Sequence, residues 1–130
     1  MKDNPFLKTL ENPAAAVSPK AEDSVNVTLQ KNHEFTEGEA LHFEIRLREG
    51  ERLRTLKKGN LNHPAAKLPL VFNLGKAAEG ESILEVDLDI SYCTNQAPKL
   101  CKFKSLKLIQ PVSFAAAGKS KLELTPSVEP

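Results

Sequence analysis

Two cysteines, three histidines and a run of arginines are the side chains with chemistry to offer. Cys93 and Cys101 stand with seven residues between them. Thiols at that spacing can close a disulfide, stay reduced, exchange with a partner thiol or join a metal site. Two cysteines are too few for a zinc site built from cysteine alone. His33, His42 and His63 are scattered, and nothing in their spacing brings them to the cysteines, so no metal or cofactor is expected. Each histidine reads as solvated, His42 on the polar phase of a strand and the other two in loops.

Other patterns carry less. Asp87 and Asp89 have the spacing of an acid–base pair, but fall on the polar phase of a strand, where a salt-bridged surface is the better reading. Gly75 and Gly80 flank a loop without phosphate-binding spacing. Asn26-Val-Thr28 matches a glycosylation sequon, read as chance in a predicted strand. Arg46, Arg48, Arg52, Arg54, Lys57 and Lys58 form the strongest charge feature. They make either a solvated strand face or a docking patch for an acidic partner, with Arg46, Arg48, Arg52 and Arg54 as its candidates.

The elements that must position these residues have period two. Val25, Val27 and Leu29 alternate with polar neighbours, and so do Leu41, Phe43, Ile45 and Leu47. This is the pattern of strands with one face buried. Asn32 to Glu39, with Gly38, reads as a turn. A shorter strand is expected around Leu53 and Thr55, broken by Lys57 to Asn60. Leu68, Leu70, Phe72 and Leu74 form another alternating set, and Pro69 inside it points to a sheet edge. Leu84, Val86, Leu88 and Ile90 alternate again. A long strand is expected from Cys101 to Phe114, and Leu122 with Leu124 marks the last.

About seven strands without a long helix predict an all-β, antiparallel, immunoglobulin-like sandwich. Its expected span is residues 24–125. Residues 1–23, with two prolines and a run of small side chains, read as a flexible linker or arm. Residues 126–130 read as a frayed tail.

One hairpin is fixed in register by its own side chains. With the turn centred on Ala97, Cys93 faces Cys101, Asp87 faces Lys107, Leu88 faces Leu106 and Val86 faces Leu108. Charges then fall on one face and apolar pairs on the other, and a slip of one residue loses all four pairs. Lys104 falls opposite Ile90, which predicts a bulge or edge twist there. A Cys93–Cys101 disulfide is sterically allowed, and closing so short a loop contributes about 2–3 kcal/mol by the loop-entropy model.

Composition sets outer bounds. A chain of 130 residues with 40% hydrophobic and 27% charged side chains can bury one core. A net charge of +1, no Trp and one Tyr argue against nucleic acid as partner. No apolar run reaches the roughly 20 residues of a membrane span, so a soluble domain without membrane insertion is expected. Met1 to Leu10 holds no apolar secretory core. The expected compartment is the cytoplasm, or the periplasm for a processed or excised domain.

The segments Val25-Asn-Val-Thr-Leu29 and Asn32-His-Glu-Phe-Thr-Glu-Gly-Glu-Ala40 resemble the opening of a particular C-terminal β-sandwich domain. It belongs to proteins that carry a thioredoxin-like domain and an NHL-repeat propeller. The stretch from Leu84 to Val112, built on Ile90-Ser-Tyr-Cys93, Leu100-Cys101 and Pro111-Val112, is similar to that domain's closing hairpin. The same Tyr-Cys…Cys hairpin is similar to one in the immunoglobulin-like N-terminal domain of the bacterial transmembrane thiol-disulfide interchange protein.

The first resemblance implies a non-catalytic accessory or interaction domain with a protein partner, thioredoxin-like among the choices. The second implies a thiol-disulfide exchange module in which Cys93 and Cys101 are the redox pair. Against an enzyme of its own stands the lack of a CxxC motif or an obvious base near either sulfur.

Overall fold

The computed structural model describes residues 7–29, 31–36, 38–72, 80–115 and 118–127. In chain order the strands are β1 (Leu7–Glu11), β2 (Ala15–Val25), β3 (His33–Phe35), β4 (Leu41–Glu49), β5 (Arg52–Leu61), β6 (Leu70–Phe72), β7 (Gly80–Thr94), β8 (Cys101–Phe114) and β9 (Lys119–Leu124). The only helix among the described residues is one turn, α1 (Pro64–Lys67), opened by a proline. The fold is all-β and sandwich-like, with two mixed sheets, and is not a closed barrel.

The first sheet is built on the antiparallel run β5-β4-β7-β8, with the short β3 pairing the far end of β7. The second is β6-β2-β9. The strand β2 belongs to both: Ala15–Val17 pairs with β8, and Glu22–Val25 pairs with β9. The register of β2 against β9 jumps between Val17 and Glu22. Pro19 lies inside that jump, where a residue with no N–H to donate costs no ladder bond. A strand that bends from one sheet to the other closes a corner of the sandwich.

Alternation explains the core. From β4 come Leu41, Phe43, Ile45 and Leu47; from β7 Leu84, Val86, Leu88, Ile90 and Tyr92; from β8 Leu106, Leu108, Val112 and Phe114, all buried. The second sheet adds Val25, Leu70, Phe72, Leu122 and Leu124. Asp23 shares the buried phase of Val25 and is itself fully buried.

Three sequence expectations are corrected. Much of the stretch read as a linker forms β1 and the first part of β2. Both run parallel to β8, Leu7 to Glu11 beside Ser105 to Ile109. They cover an edge that a long, half-apolar strand would otherwise leave open. The sheets are therefore not antiparallel throughout, since β1·β8, β2·β8 and β2·β9 are parallel pairs. The third correction is in the count, nine strands among the described residues rather than about seven.

One strand was hidden by its local chemistry, and another was read too short. The segment read as a turn over 32–39 contains β3. The segment read as a strand break at Lys57 to Asn60 lies inside β5, which pairs with β4 up to Leu61. Gly59, opposite Phe43, does not interrupt it. The Phe43 ring lies over the glycine, 3.5 Å from where a Cβ would stand, and so protects the backbone that a missing side chain exposes.

The tail is tied further than expected. Thr28 N–H donates to the Pro126 carbonyl at 2.9 Å, and Thr28 bridges to Ser127. Leu74, Gly75 and residues 128–130, which carried the end of one expected strand, a loop and the rest of the tail, lie outside the described residues. Pro69 immediately precedes β6, which is an edge strand as its proline implied.

Candidate functional site

The hairpin of β7 and β8 takes the expected register. Cys93 faces Cys101, Asp87 faces Lys107, Leu88 faces Leu106 and Val86 faces Leu108. Pairing runs without a shift from Gly80/Phe114 to Cys93/Cys101, so the bulge expected near Lys104 is absent. Lys104 sits opposite Ile90, half-buried. A lysine can lay its methylene stem on the sheet and keep its ammonium wet, which removes the need for a bulge.

The two cysteines form a disulfide across the last pair, with Cα atoms 4.0 Å apart. The connecting loop is held by Thr94. Its N–H donates to the Leu100 carbonyl at 2.8 Å, and its hydroxyl oxygen accepts from Leu100 N–H at 2.9 Å. A side chain that bonds to nearby backbone in this way sets a turn without needing glycine.

The two sulfur environments differ. Cys93 is 1% exposed. The crossing β3 lies beside it, with Glu34 at the paired position, and Thr36 Oγ1 is 3.2 Å from Cys93 Sγ and 2.7 Å from Ser91 Oγ. Cys101 is exposed. On either side of it, Leu100 is 57% and Phe103 50% exposed. Lys99, Lys102 and Lys104 add three positive charges to the same stretch. Large apolar side chains left in water beside a cluster of cations mark a contact surface more often than chance does.

The arginine region is divided. Arg46 reaches Glu44 at 3.3 Å and Glu85 at 3.6 Å, and is bonded to Asp87. Arg48 meets Glu85 at 3.0 Å, with Lys107 at 3.9 Å from the same carboxylate. Burial alone would lower the Arg46 pKa, but hydrogen bonding and attraction to Asp87, then Glu44, outweigh it and hold the group above its ordinary value. Arg46 and Arg48 thus spend their charge on the carboxylates of β4 and β7. Arg54 pairs with Glu49 at 3.5 Å. Arg52 is exposed and has no carboxylate partner among the described residues.

The acids are explained by the same sheet. Asp87 turns sideways to Arg46 on β4 rather than to Lys107 across the hairpin. Asp89 accepts from Ser105 Oγ at 2.7 Å. Ser105, Asp89 and His42 occupy one cross-strand row above a groove of about 480 Å³. The carboxylate is in the middle, and His42 bonds instead to Asn60. No imidazole therefore reaches the serine, and the row lacks the order a nucleophilic triad requires.

The other histidines are equally plain. His33 is half-buried rather than in a loop, its ring 5.9 Å from that of Tyr92. His63 is exposed, with φ of 59° ahead of α1. Asn26 is exposed just past the end of β2, where its side-chain oxygen accepts from Val27 N–H at 2.9 Å.

Among the described residues no group of three or more His, Cys, Asp or Glu is placed to hold a metal, and no helix is long and apolar enough to cross a membrane. Sequence reasoning found the cysteine pair but passed over Leu100, Phe103 and Thr36. The signal for the first two was present, two large apolar residues flanking a cysteine near a polar turn. Thr36 gave none, because its approach to Cys93 depends on how β3 crosses β7. No protein-family model matches this chain, and a search of curated proteins returns no significant match.

Proposed function

We propose that this chain is a non-catalytic interaction domain of the immunoglobulin-like type, serving thioredoxin-like and NHL-repeat systems, and that it meets its partner through the tip of the β7–β8 hairpin. The observation that carries the reading is the exposure of Leu100 and Phe103 on either side of an exposed Cys101. The disulfide and the Thr94 bonds hold this surface in one shape, which lowers the ordering cost of binding. The neutralised pair Arg46 and Arg48 is a poorer surface for an acidic partner than the sequence suggested.

The test is a titration of the labelled domain with a thioredoxin whose active-site cysteines are both replaced by serine. Amide shifts on residues 94–104, lost in the Leu100→Ser, Phe103→Ser variant, are the expected result. Shifts on β4 and β5 instead, or none at all, count against the hairpin.

A second reading, thiol-disulfide exchange, is favoured by the asymmetry of the two sulfurs. A partner dithiol supplies the electrons. Its thiolate attacks the Sγ of Cys101, the exposed residue of the pair, a new sulfur–sulfur bond forms there, and the Cys93–Cys101 bond breaks. Cys93 leaves as the thiolate, beside the Thr36 hydroxyl that can donate to it. The partner's second thiol then releases Cys101, leaving two thiols here and a disulfide in the partner. Trapping with a single-cysteine thioredoxin tests this, with a mixed disulfide at Cys101 expected. A reduction potential of about −120 to −270 mV supports exchange, and one below about −300 mV leaves a structural disulfide.

A further inference from the structure

We propose that the outer edge of β5 accepts an extended acidic segment of a partner protein as an added strand. β5 ends the strand order of the first sheet, and β6 ends that of the second. Lys57 Nζ donates to the Val71 carbonyl at 3.0 Å, so one β5 side chain reaches across to β6 without pairing the two strands. Among the described residues no strand pairs with the outer edge of β5. A ten-residue edge carries a row of unpaired backbone donors and acceptors, and such a row is a template for another strand.

Charge decides which strand. Arg52, Arg54, Lys57 and Lys58 lie on β5, and only Arg54 is ion-paired among the described residues. A second copy of β5 would set these cations against one another, which disfavours pairing between copies. A segment alternating acidic and apolar residues meets the same edge with opposite charge. Its apolar side chains have Leu53, 46% exposed on the outer face of β5, to pack on. The occupant is therefore an acidic, extended peptide. This surface is separate from the hairpin tip and does not depend on the cysteines.

The experiment uses the whole chain and a defined probe, an acetylated and amidated peptide of alternating Glu and Val, about eight residues long to match most of β5. Amide shifts and slowed hydrogen exchange confined to β5 are expected. Methylating alternate peptide nitrogens should weaken binding by about tenfold or more, because it removes the ladder bonds but keeps the charge. The Arg52→Glu, Lys58→Glu variant, exposed positions where folding is checked by its amide spectrum, should weaken it similarly. A Lys and Val peptide should not bind. The proposal is overturned if the methylated peptide binds as well as the parent, if the shifts map away from β5, or if no binding appears at millimolar peptide.

Discussion

Gln110 and Asn12, 98 residues apart, are joined side chain to side chain. Asn12 Nδ2 donates to Gln110 Oε1 at 2.9 Å, while Gln110 Nε2 donates to the Pro13 carbonyl at 3.0 Å and the Pro111 carbonyl at 2.8 Å. Gln110 is 3% exposed on β8, at a point where the chain passes from β1 to β2. A buried amide bonded at both ends fixes how the parallel arm lies on the sheet. Gln110→Leu keeps the volume but strands Asn12 and the Pro13 carbonyl. We expect a loss of about 1–3 kcal/mol in urea unfolding, and faster amide exchange across Leu7–Val17. Unchanged exchange in the arm would show that β1 is held by its ladder alone.

That arm also marks where sequence reasoning stopped. The β7–β8 register was legible because charge, apolar and cysteine pairs coincide in one alignment and in no neighbouring one. β1 and β2 offered no such coincidence. Their partners on β8 lie nearly a hundred residues away, and a parallel pair needs a long crossover that leaves no local turn signal. Pro13, Pro19 and Ala14 to Ala16 hid what alternation there was. Asp23 misled in its own way, since a carboxylate does not advertise the buried phase of a strand. At the candidate site, the cysteines were legible from hairpin geometry. The fate of Arg46 was not, because it depends on β7 lying beside β4, a neighbour relation that no local pattern encodes.

Gly118 approaches the Val17 backbone so closely that a Cβ would collide with the Val17 carbonyl carbon and stand 2.7 Å from its Cα. Here the glycine is needed for space. The same corner is closed by Ala115 N–H on the Val17 carbonyl at 3.0 Å and by Gly118 N–H on the Ala115 carbonyl at 2.9 Å. Gly118→Ala must push β2 away from the start of β9. A cost of about 1–3 kcal/mol is expected, as for other overpacked sites. Gly50→Ala serves as a comparison, since its φ of 65° strains any side chain but nothing lies within 4 Å of the new atom. Thermal unfolding separates the two. Only the Gly118 variant should change the amide shifts of both β2 and β9.

Arg46 holds three carboxylates, Glu44, Glu85 and Asp87, that would otherwise repel one another. Lysine retains the charge but not the fork that serves several oxygens at once. Arg46→Lys should cost about 1 kcal/mol, and Arg46→Ala about 2–3 kcal/mol, because the alanine leaves clustered acids partly out of water. The pH dependence has a definite sign. The folded pKa of Arg46 is raised, so its contribution is complete below the ordinary arginine value and is lost only as pH rises through the folded one. The difference between wild type and Arg46→Lys should therefore stay level from about pH 6 to about pH 9. A difference that changes across that interval would mean another group titrates with it.

The two cysteines are unequal in exposure, Cys93 buried and Cys101 exposed. After reduction, Cys101 remains at an exposed position. Cys93 remains at a position that is 1% exposed, beside the Thr36 hydroxyl. Iodoacetamide should therefore modify Cys101 first, by at least about tenfold in rate, as read by mass spectrometry of peptides from partly labelled protein. Thr36→Val tests the buried side. Removing the hydroxyl takes away a side-chain donor 3.2 Å from Cys93 Sγ that can steady its thiolate, so the disulfide should become harder to reduce. If the sulfur were merely buried, the potential would stay where it was, while a loss of folding stability alone would appear equally in the oxidised and reduced forms. Equal labelling of the two cysteines would mean that β3 lifts off Cys93 once the bond is broken. The cover over that sulfur would then depend on the disulfide itself.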